Sequence, residues 1–185
     1  MKIFFFYTCV FLLICENVFS ESTNRNSELN KLFDKLKETN NSLVAFELEK
    51  QIWQIWSTHP TKSELTDSLT IGSELMENGE LESAYKIFSK IVKLEPNWAE
   101  AWNKRATVLY LMGKYKNSLS DIEEVLRLEN RHFGALSGQG LVYIKLNYYE
   151  KAIVSYKAAQ NIYPSIKSSE IMIPQLEELI KKEAI

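Results

Sequence analysis

The sequence predicts an all-α solenoid made of three consecutive helix pairs, and three observations support this prediction. Similar residues recur every 34 residues between Leu65 and Pro164, which is a repeat length typical of helix–turn–helix solenoids. Small residues occupy matching positions on both predicted helices of each unit, where two backbones must approach closely. The chain has few glycines and prolines, and it shows no strand pattern of any length. Each unit is too small to bury its apolar face alone, so stacking of neighbours has to form the core.

The predicted units are residues 65–98, 99–132 and 133–164. In each unit the first helix ends at a glycine or asparagine, since both tolerate the left-handed conformation that turns the chain. Pro96 and Pro164 end second helices, because proline cannot continue a helix. The positions that define the repeat are Gly72, Gly79, Ala84, Phe88, Trp102, Ala106, Gly113, Gly140, Ala152, Tyr156 and Pro164.

Residues 1–20 are predicted to be a signal peptide. Lys2 precedes an apolar run at residues 3–14 that is too short to span a bilayer comfortably. An uncleaved signal anchor is the alternative. We therefore expect an exported protein, periplasmic or associated with the cell envelope, with a flexible polar leader at residues 21–27.

Both cysteines, Cys9 and Cys15, lie in this first segment. The mature chain would then contain no disulfide and no thiolate chemistry. Cys15 also raises the possibility of a lipid anchor. The residue before it is Ile14, whereas a lipid-attachment motif calls for a small residue, so we expect the lipoprotein form to be absent.

Residues 28–60 are predicted to form a pair of amphipathic helices, because apolar residues recur at helical spacing. Ser42 is the expected cap of the second helix. We expect this pair to cap the solenoid by covering the apolar face of the first repeat. Trp53 and Trp56 fit a core role better than an exposed aromatic patch that binds a ligand.

Residues 165–185 are predicted to form a C-terminal capping helix with apolar residues between charged ones. Pro174 lies inside this pattern, where it would either occupy the first helical turn or kink the helix. Such a helix would cover the apolar end of the last repeat.

The sequence contains no recognisable catalytic or metal-binding motif. His59 and His132 are far apart and have no ligand-spaced partners, so we interpret both as surface or helix-capping residues. Asp121, Glu123 and Glu124 fit a solvated helix face better than a catalytic carboxylate pair. The net charge of −2 argues against nonspecific nucleic-acid binding. We therefore expect no enzyme activity, no cofactor, no metal, no nucleic acid and no small-molecule substrate.

The repeat pattern resembles the tetratricopeptide repeat, whose signature is W-x₂-L-G-x₂-Y, then A-x₃-F, then P. Trp102, Gly113 and Tyr115 carry the resemblance in the middle unit, and Arg105 and Gln139 stand where the family usually has leucine. More narrowly, the run from residue 100 to 136 resembles small exported tetratricopeptide-repeat proteins of alphaproteobacteria. The resemblance implies a right-handed α-solenoid whose first helices line a concave face that binds a peptide or a helix.

Carried over position by position, the resemblance implies a groove of mixed polar and apolar residues. Its predicted members are Leu69, Ser73, Met76, Asn103, Thr107, Tyr110, Ser137, Leu141 and Lys145.

Some members of this family bind a C-terminal carboxylate through a clamp of Lys, Asn and Arg on the concave face. The matching positions here are Leu69, Ser73, Lys104, Gly134 and Gly138, so only one cation remains. We therefore expect no micromolar binding of acidic C-terminal peptides.

The function expected from these observations is a protein–protein interaction scaffold of the cell envelope, with a protein or peptide partner of unknown identity. The alternative is a self-assembling structural subunit. In that alternative the groove holds the chain's own N-terminal segment, and copies stack through Trp53, Trp56 or the C-terminal helix.

Overall fold

The computed structural model describes residues 24–183, and within this range the chain is a right-handed α-solenoid with nine helices and no strands. The predicted signal peptide lies outside the described residues. The helices are α1 (24–38), α2 (Ser42–Ser57), α3 (Ser63–Glu77), α4 (Leu81–Leu94), α5 (Ala99–Leu111), α6 (Tyr115–Leu128), α7 (Phe133–Lys145), α8 (Tyr149–Ile162) and α9 (Lys167–Glu183).

The three repeats are the pairs α3–α4, α5–α6 and α7–α8. Gly79 and Gly113 end the first helices of two repeats at φ values of 81° and 73°, and Asn147 takes the matching place in the third at 58°. The left-handed conformation predicted at these three turns is therefore present. Only residues that tolerate positive φ fit there without strain.

Small residues on the first helices let an aromatic ring of the second helix come close. A Cβ atom at Gly72 would lie 2.6 Å from Phe88 Cε1, and one at Gly140 would lie 2.6 Å from Tyr156 Cε2. Both rings are fully buried. The predicted close packing at these positions is confirmed.

Residues that depart from the family pattern have polar partners inside the repeats. The Arg105 guanidinium makes two bonds of 2.7 Å to Asp121 and lies over the Trp102 ring. Gln139 Oε1 accepts a hydrogen bond of 2.8 Å from the Ser155 hydroxyl. Since Asp121 is 4% exposed, its placement on a solvated acidic face is wrong. The hydrogen bond to Asp121 raises the pKa of Arg105.

The N-terminal pair α1–α2 packs on a different part of the solenoid from the one predicted. Its buried residues, among them Leu36, Ile52 and Trp56, form one cluster with Phe133 and Tyr163 of the third repeat. The prediction that this pair covers the first repeat is therefore wrong. Accordingly, Ile71 on α3 is 51% exposed. A short amphipathic pair can bury its apolar stripe on any complementary edge, and sequence spacing does not specify which.

Element ends differ from the prediction at three places. Residues 24–27 are already helical, although the sequence predicts a flexible leader there. Asn41, and not Ser42, caps α2, because its side chain accepts from the backbone N–H groups of Leu43 and Val44. Pro174 lies inside α9, so the first-turn alternative is wrong.

Candidate functional site

A cleft opens on the concave side between α5 and α7. It brings together Asn103, Thr107, Tyr110 and Leu141 from the predicted groove, and its volume is about 70 Å³. Thr107 and Leu141 are exposed, and the Tyr110 ring packs against Tyr115 with centroids 5.7 Å apart. Side chains of the two first helices therefore form an accessible surface here.

The other predicted groove residues lie elsewhere. Leu69 is 3% exposed and belongs to the core that α3 and α4 form with α5, so its predicted place on the groove surface is wrong. Met76 packs against the same core, and the Ser73 hydroxyl donates to the Leu69 carbonyl. The Ser137 hydroxyl lies 3.0 Å from that of Ser168 on α9. Lys145 is exposed at the end of α7.

A buried hydrogen-bond chain lies directly behind the cleft. Glu100 is 1% exposed and His132 is 0% exposed, and Glu100 Oε2 lies 3.0 Å from His132 Nε2. The same carboxylate oxygen accepts a bond of 3.0 Å from Asn103 Nδ2. Because His132 Nδ1 accepts from the Ala135 N–H, the ring proton of a neutral imidazole is on Nε2 and faces Glu100. The acid thus holds both His132 and Asn103 in place.

Two tryptophans of the N-terminal pair pack against the imidazole of His132 in this hydrogen-bonded group. The Trp56 ring stacks on His132 with centroids 4.0 Å apart and planes 8° apart, and Trp53 meets the same imidazole edge-on at 5.4 Å. Trp56 is 4% exposed, which confirms its predicted core role. Trp53 also reaches the mouth of the cleft, where a Cβ atom at Gly134 would lie 2.5 Å from its ring. Aromatic contacts therefore connect the N-terminal pair to the groove residues.

The edge on which the pair rests is formed by the turns between repeats. Trp98, His132 and Ile166 recur every 34 residues in these turns, and all three are buried. The Trp98 indole donates to the Trp56 carbonyl at 2.8 Å. Arg131 donates to the Asn30 side chain of α1 at 2.7 Å. We call this contact between α1–α2 and the inter-repeat turns the seam.

His59 closes the seam near the first repeat. Its Nδ1 accepts from the backbone N–H groups of Thr61 and Lys62 at 3.2 and 3.0 Å, and its Nε2 lies 3.7 Å from Glu95 Oε2. Burial lowers the pKa of His59, the Glu95 carboxylate opposes this shift, and Lys62 and Arg25 add to it. The Lys62 ammonium bonds to Glu95 and holds the pKa of that carboxyl below its usual range.

His132 caps the start of α7, as predicted, whereas His59 accepts from the backbone of the turn before α3 and does not cap that helix. Both histidines are buried, so the surface alternative is wrong. The sequence analysis does not identify the importance of Glu100, because its position in the first turn of α5 looks like ordinary helix capping. The 34-residue spacing of Trp98, His132 and Ile166 is the signal in the sequence that could have located the seam.

The described part of the chain contains no group of three or more His, Cys, Asp or Glu side chains placed to hold a metal ion. Among residues 24–183, no helix has the length and apolar character needed to cross a bilayer.

Comparisons with known proteins agree with the repeat pattern. A profile of the tetratricopeptide repeat matches residues 99–132 and 134–166. A TPR repeat-containing protein of Rhizobium etli is 29% identical over 167 residues, which cover 88% of this chain and 81% of the relative. The peroxisomal targeting signal receptor of Saccharomyces cerevisiae is 33% identical over 115 residues, which cover 61% of this chain but only 18% of the receptor.

Solved structures share the fold at low sequence identity. The first TPR domain of Spaghetti, bound to an HSP90 peptide, superposes with a TM-score of 0.61 at 16% identity, covering 63% of this chain and 93% of that domain. MamA superposes with a TM-score of 0.60 at 20% identity, covering 74% and 77%. The Rhizobium relative also fits the resemblance to alphaproteobacterial proteins. Residues 99–132 and 134–166 are therefore tetratricopeptide repeats, and the chain shares the α-solenoid fold of the solved TPR domains.

Proposed function

We propose that this protein is a non-enzymatic adaptor that binds a peptide or helical segment of a partner protein on its concave face. The tetratricopeptide-repeat fold is that of a protein–protein interaction module. The observation that carries the finer proposal is the cleft between α5 and α7, which stays open although the N-terminal pair packs beside it. Thr107 is exposed there and Leu141 is 41% exposed, so a partner could bury both.

The partner is expected to differ from the acidic peptides that two structural neighbours hold, which are HSP90 and HSP70 peptides ending in EEVD. Lys104 is the one cation at the clamp positions, and its ammonium lies 3.7 Å from the buried Glu100 carboxylate. Trp53 lies over Gly134 at another clamp position. A carboxylate placed here would lose its hydration and would find only the Lys104 ammonium, which already lies beside the Glu100 carboxylate.

Selection of random displayed peptides on the full chain tests the adaptor function. We expect peptides of about micromolar affinity, as suits a small interface. Leu141→Glu should abolish their binding, because it places a charge in the groove. The matched control is Val154→Glu on α8, a residue that is 68% exposed and does not line the cleft. Equal loss in both variants, or failure to select any peptide, would contradict the proposal.

The cell-envelope location is part of the same proposal, and its support is the apolar run at residues 3–14 behind Lys2. N-terminal sequencing of the protein from fractionated cells tests it. A chain beginning at Glu21 in the envelope fraction supports export, whereas an intact N-terminus in the cytosol contradicts it.

Self-assembly is the second candidate, and one observation favours it. Ile171 on α9 is 54% exposed and Leu179 is 36% exposed, so the last helix keeps an unburied apolar face. In this conformation copies of the chain cannot stack through Trp56, because the Trp56 ring is buried in the seam. Sedimentation velocity separates the two candidates, since a monomer at all concentrations removes self-assembly.

A further inference from the structure

The six glycines of the chain all lie in its described part, and five have a structural reason. Three would place a Cβ atom against an aromatic ring and two have positive φ; these are Gly72, Gly134, Gly140, Gly79 and Gly113. Gly138 is different, because its Cβ would meet only Ile122 Cδ1 at 3.9 Å, an ordinary contact. Glycine inside a helix lowers stability relative to alanine. Neither packing nor backbone conformation therefore accounts for Gly138.

Gly138 lines the cleft between α5 and α7. None of the residues around this cleft carries a formal charge. A larger side chain on Gly138 would occupy the space that the glycine leaves open. The feature that the glycine preserves is thus the cleft itself.

One wall of the cleft offers a hydrogen-bond acceptor. Asn103 is 9% exposed, and its Nδ2 donates to the buried Glu100 carboxylate. This bond sets the orientation of the amide, so Oδ1 is the atom left for other partners. Within residues 24–183 no donor bonds to that oxygen. Asn103 Oδ1 can therefore accept a hydrogen bond from one backbone N–H of a bound segment.

We propose that this cleft is a socket for a small aliphatic side chain, of about valine size, on a segment whose backbone N–H donates to Asn103 Oδ1. The inference rests on the proposed function and deepens it by naming the anchor group. The uncharged lining favours an uncharged group, because a carboxylate would lie there without a counter-ion. The volume of about 70 Å³ is about half that of a cavity known to hold benzene, so an aromatic ring is too large.

The socket also lies next to a contact within the molecule, the one between Trp53 of the N-terminal pair and Gly134 of α7. Gly134 belongs to its lining, and the Trp53 ring of the N-terminal pair lies on that same residue. An aliphatic group in the socket would extend the apolar surface that Trp53 begins. A partner segment would thus lie along α5 and α7 beside the N-terminal pair.

Blocked single amino acids test the socket directly, whatever the identity of the partner. The full chain, labelled with ¹⁵N, is titrated with N-acetyl-valine methylamide while the amide signals of Thr107, Gly138 and Leu141 are followed. We expect saturable shifts in the millimolar range, since so small a ligand has little surface to bury. The glycine and aspartate analogues should bind about tenfold more weakly, because they lack the aliphatic group.

Gly138→Leu fills the socket and should weaken the valine compound by about tenfold or more. Val154→Leu on the convex side is the control and should leave its binding unchanged. Gly138→Ala should fold normally and raise Tm by about 2 °C, because the new Cβ meets no close neighbour.

Several results would overturn the socket: equal binding of the three compounds, absence of binding, shifts that survive Gly138→Leu, or a lowered Tm in Gly138→Ala. Binding of the valine compound without any selected displayed peptide would support the socket and count against the adaptor function. The experiments therefore distinguish a failure of the socket from a failure of the adaptor function.

Discussion

The seam and the groove both include residues of α5 and α7 or of the turns that lead into them, yet the two regions differ in burial and in hydrogen bonding. At the N-terminal ends of α5 and α7, Glu100 and His132 are fully buried, hydrogen-bonded to each other and covered by Trp56. About two turns further along each helix, Thr107 and Leu141 are exposed. The difference shows that the N-terminal pair closes one edge of the solenoid and leaves the middle of the concave face accessible.

The two regions meet at Asn103. Its side chain donates to Glu100 in the seam, and the same residue lines the cleft. Since Glu100 also contacts His132, on which Trp56 stacks, a change in the seam would alter the position of a groove residue. Stability should therefore depend on the seam, and binding should depend on both regions.

Removal of the stacked ring should give the largest effect on stability. Trp56→Ala is expected to lower the free energy of unfolding by about 3–5 kcal/mol, because it leaves a cavity over His132. Urea denaturation measures this change. Phe46→Ala on the same helix is the control, since Phe46 is 59% exposed, and it should change stability by less than about 0.5 kcal/mol. Similar losses in both variants would show that α2 is not held through Trp56.

Removal of the buried acid should come next. Glu100→Ala leaves the His132 N–H and the Asn103 amide without their acceptor, and we expect a loss of about 2–3 kcal/mol. Glu123→Ala on the exposed face of α6 is the matched control. Combined with Trp56→Ala, the losses should be less than additive, because both residues contact His132. Full additivity would contradict a connected seam.

Lower pH should weaken the seam at His59. Its folded pKa lies below the unfolded value of 6.5, so its contribution to stability is complete above pH 6.5 and is lost as pH falls toward the folded pKa. Protonation of Nδ1 would also break the bonds from Thr61 and Lys62.

Urea midpoints at pH 7.5 and 5 measure this loss. His59→Asn keeps an acceptor without titrating in this range, so its midpoint should depend less on pH than that of the original protein. Glu95, whose pKa is lowered by Lys62, contributes a separate loss at pH values below its unfolded pKa of 4.5. An unchanged pH dependence in His59→Asn would contradict the assignment.

The smallest effect on stability is expected in the groove. Leu141→Glu should change the free energy of unfolding by no more than about 0.5 kcal/mol, because Leu141 is 41% exposed, although we expect it to abolish partner binding. Thermal unfolding followed by circular dichroism measures the change. A large destabilisation would show that this face is part of the core and not a binding surface.

Most of the correct predictions came from the 34-residue periodicity of the sequence. The turns at Gly79, Gly113 and Asn147 and the close approaches at Gly72 and Gly140 follow from residue type and spacing alone. Arg105 could not be interpreted in the same way, since its partner Asp121 lies 16 residues away on another helix. Its role depends on how the two helices lie against each other, which no local pattern specifies.

The sequence by itself determined the three-repeat solenoid, because helix pairs that repeat every 34 residues bury their apolar faces by stacking on their neighbours. The tertiary structure alone decided where the N-terminal pair rests and which groove residues remain accessible. An amphipathic helix specifies that one face must be buried, but its partner surface depends on shape and on buried hydrogen bonds between distant residues. Glu100, His132 and Trp56 lie on three different helices or turns, and their contact follows from packing and not from any local pattern.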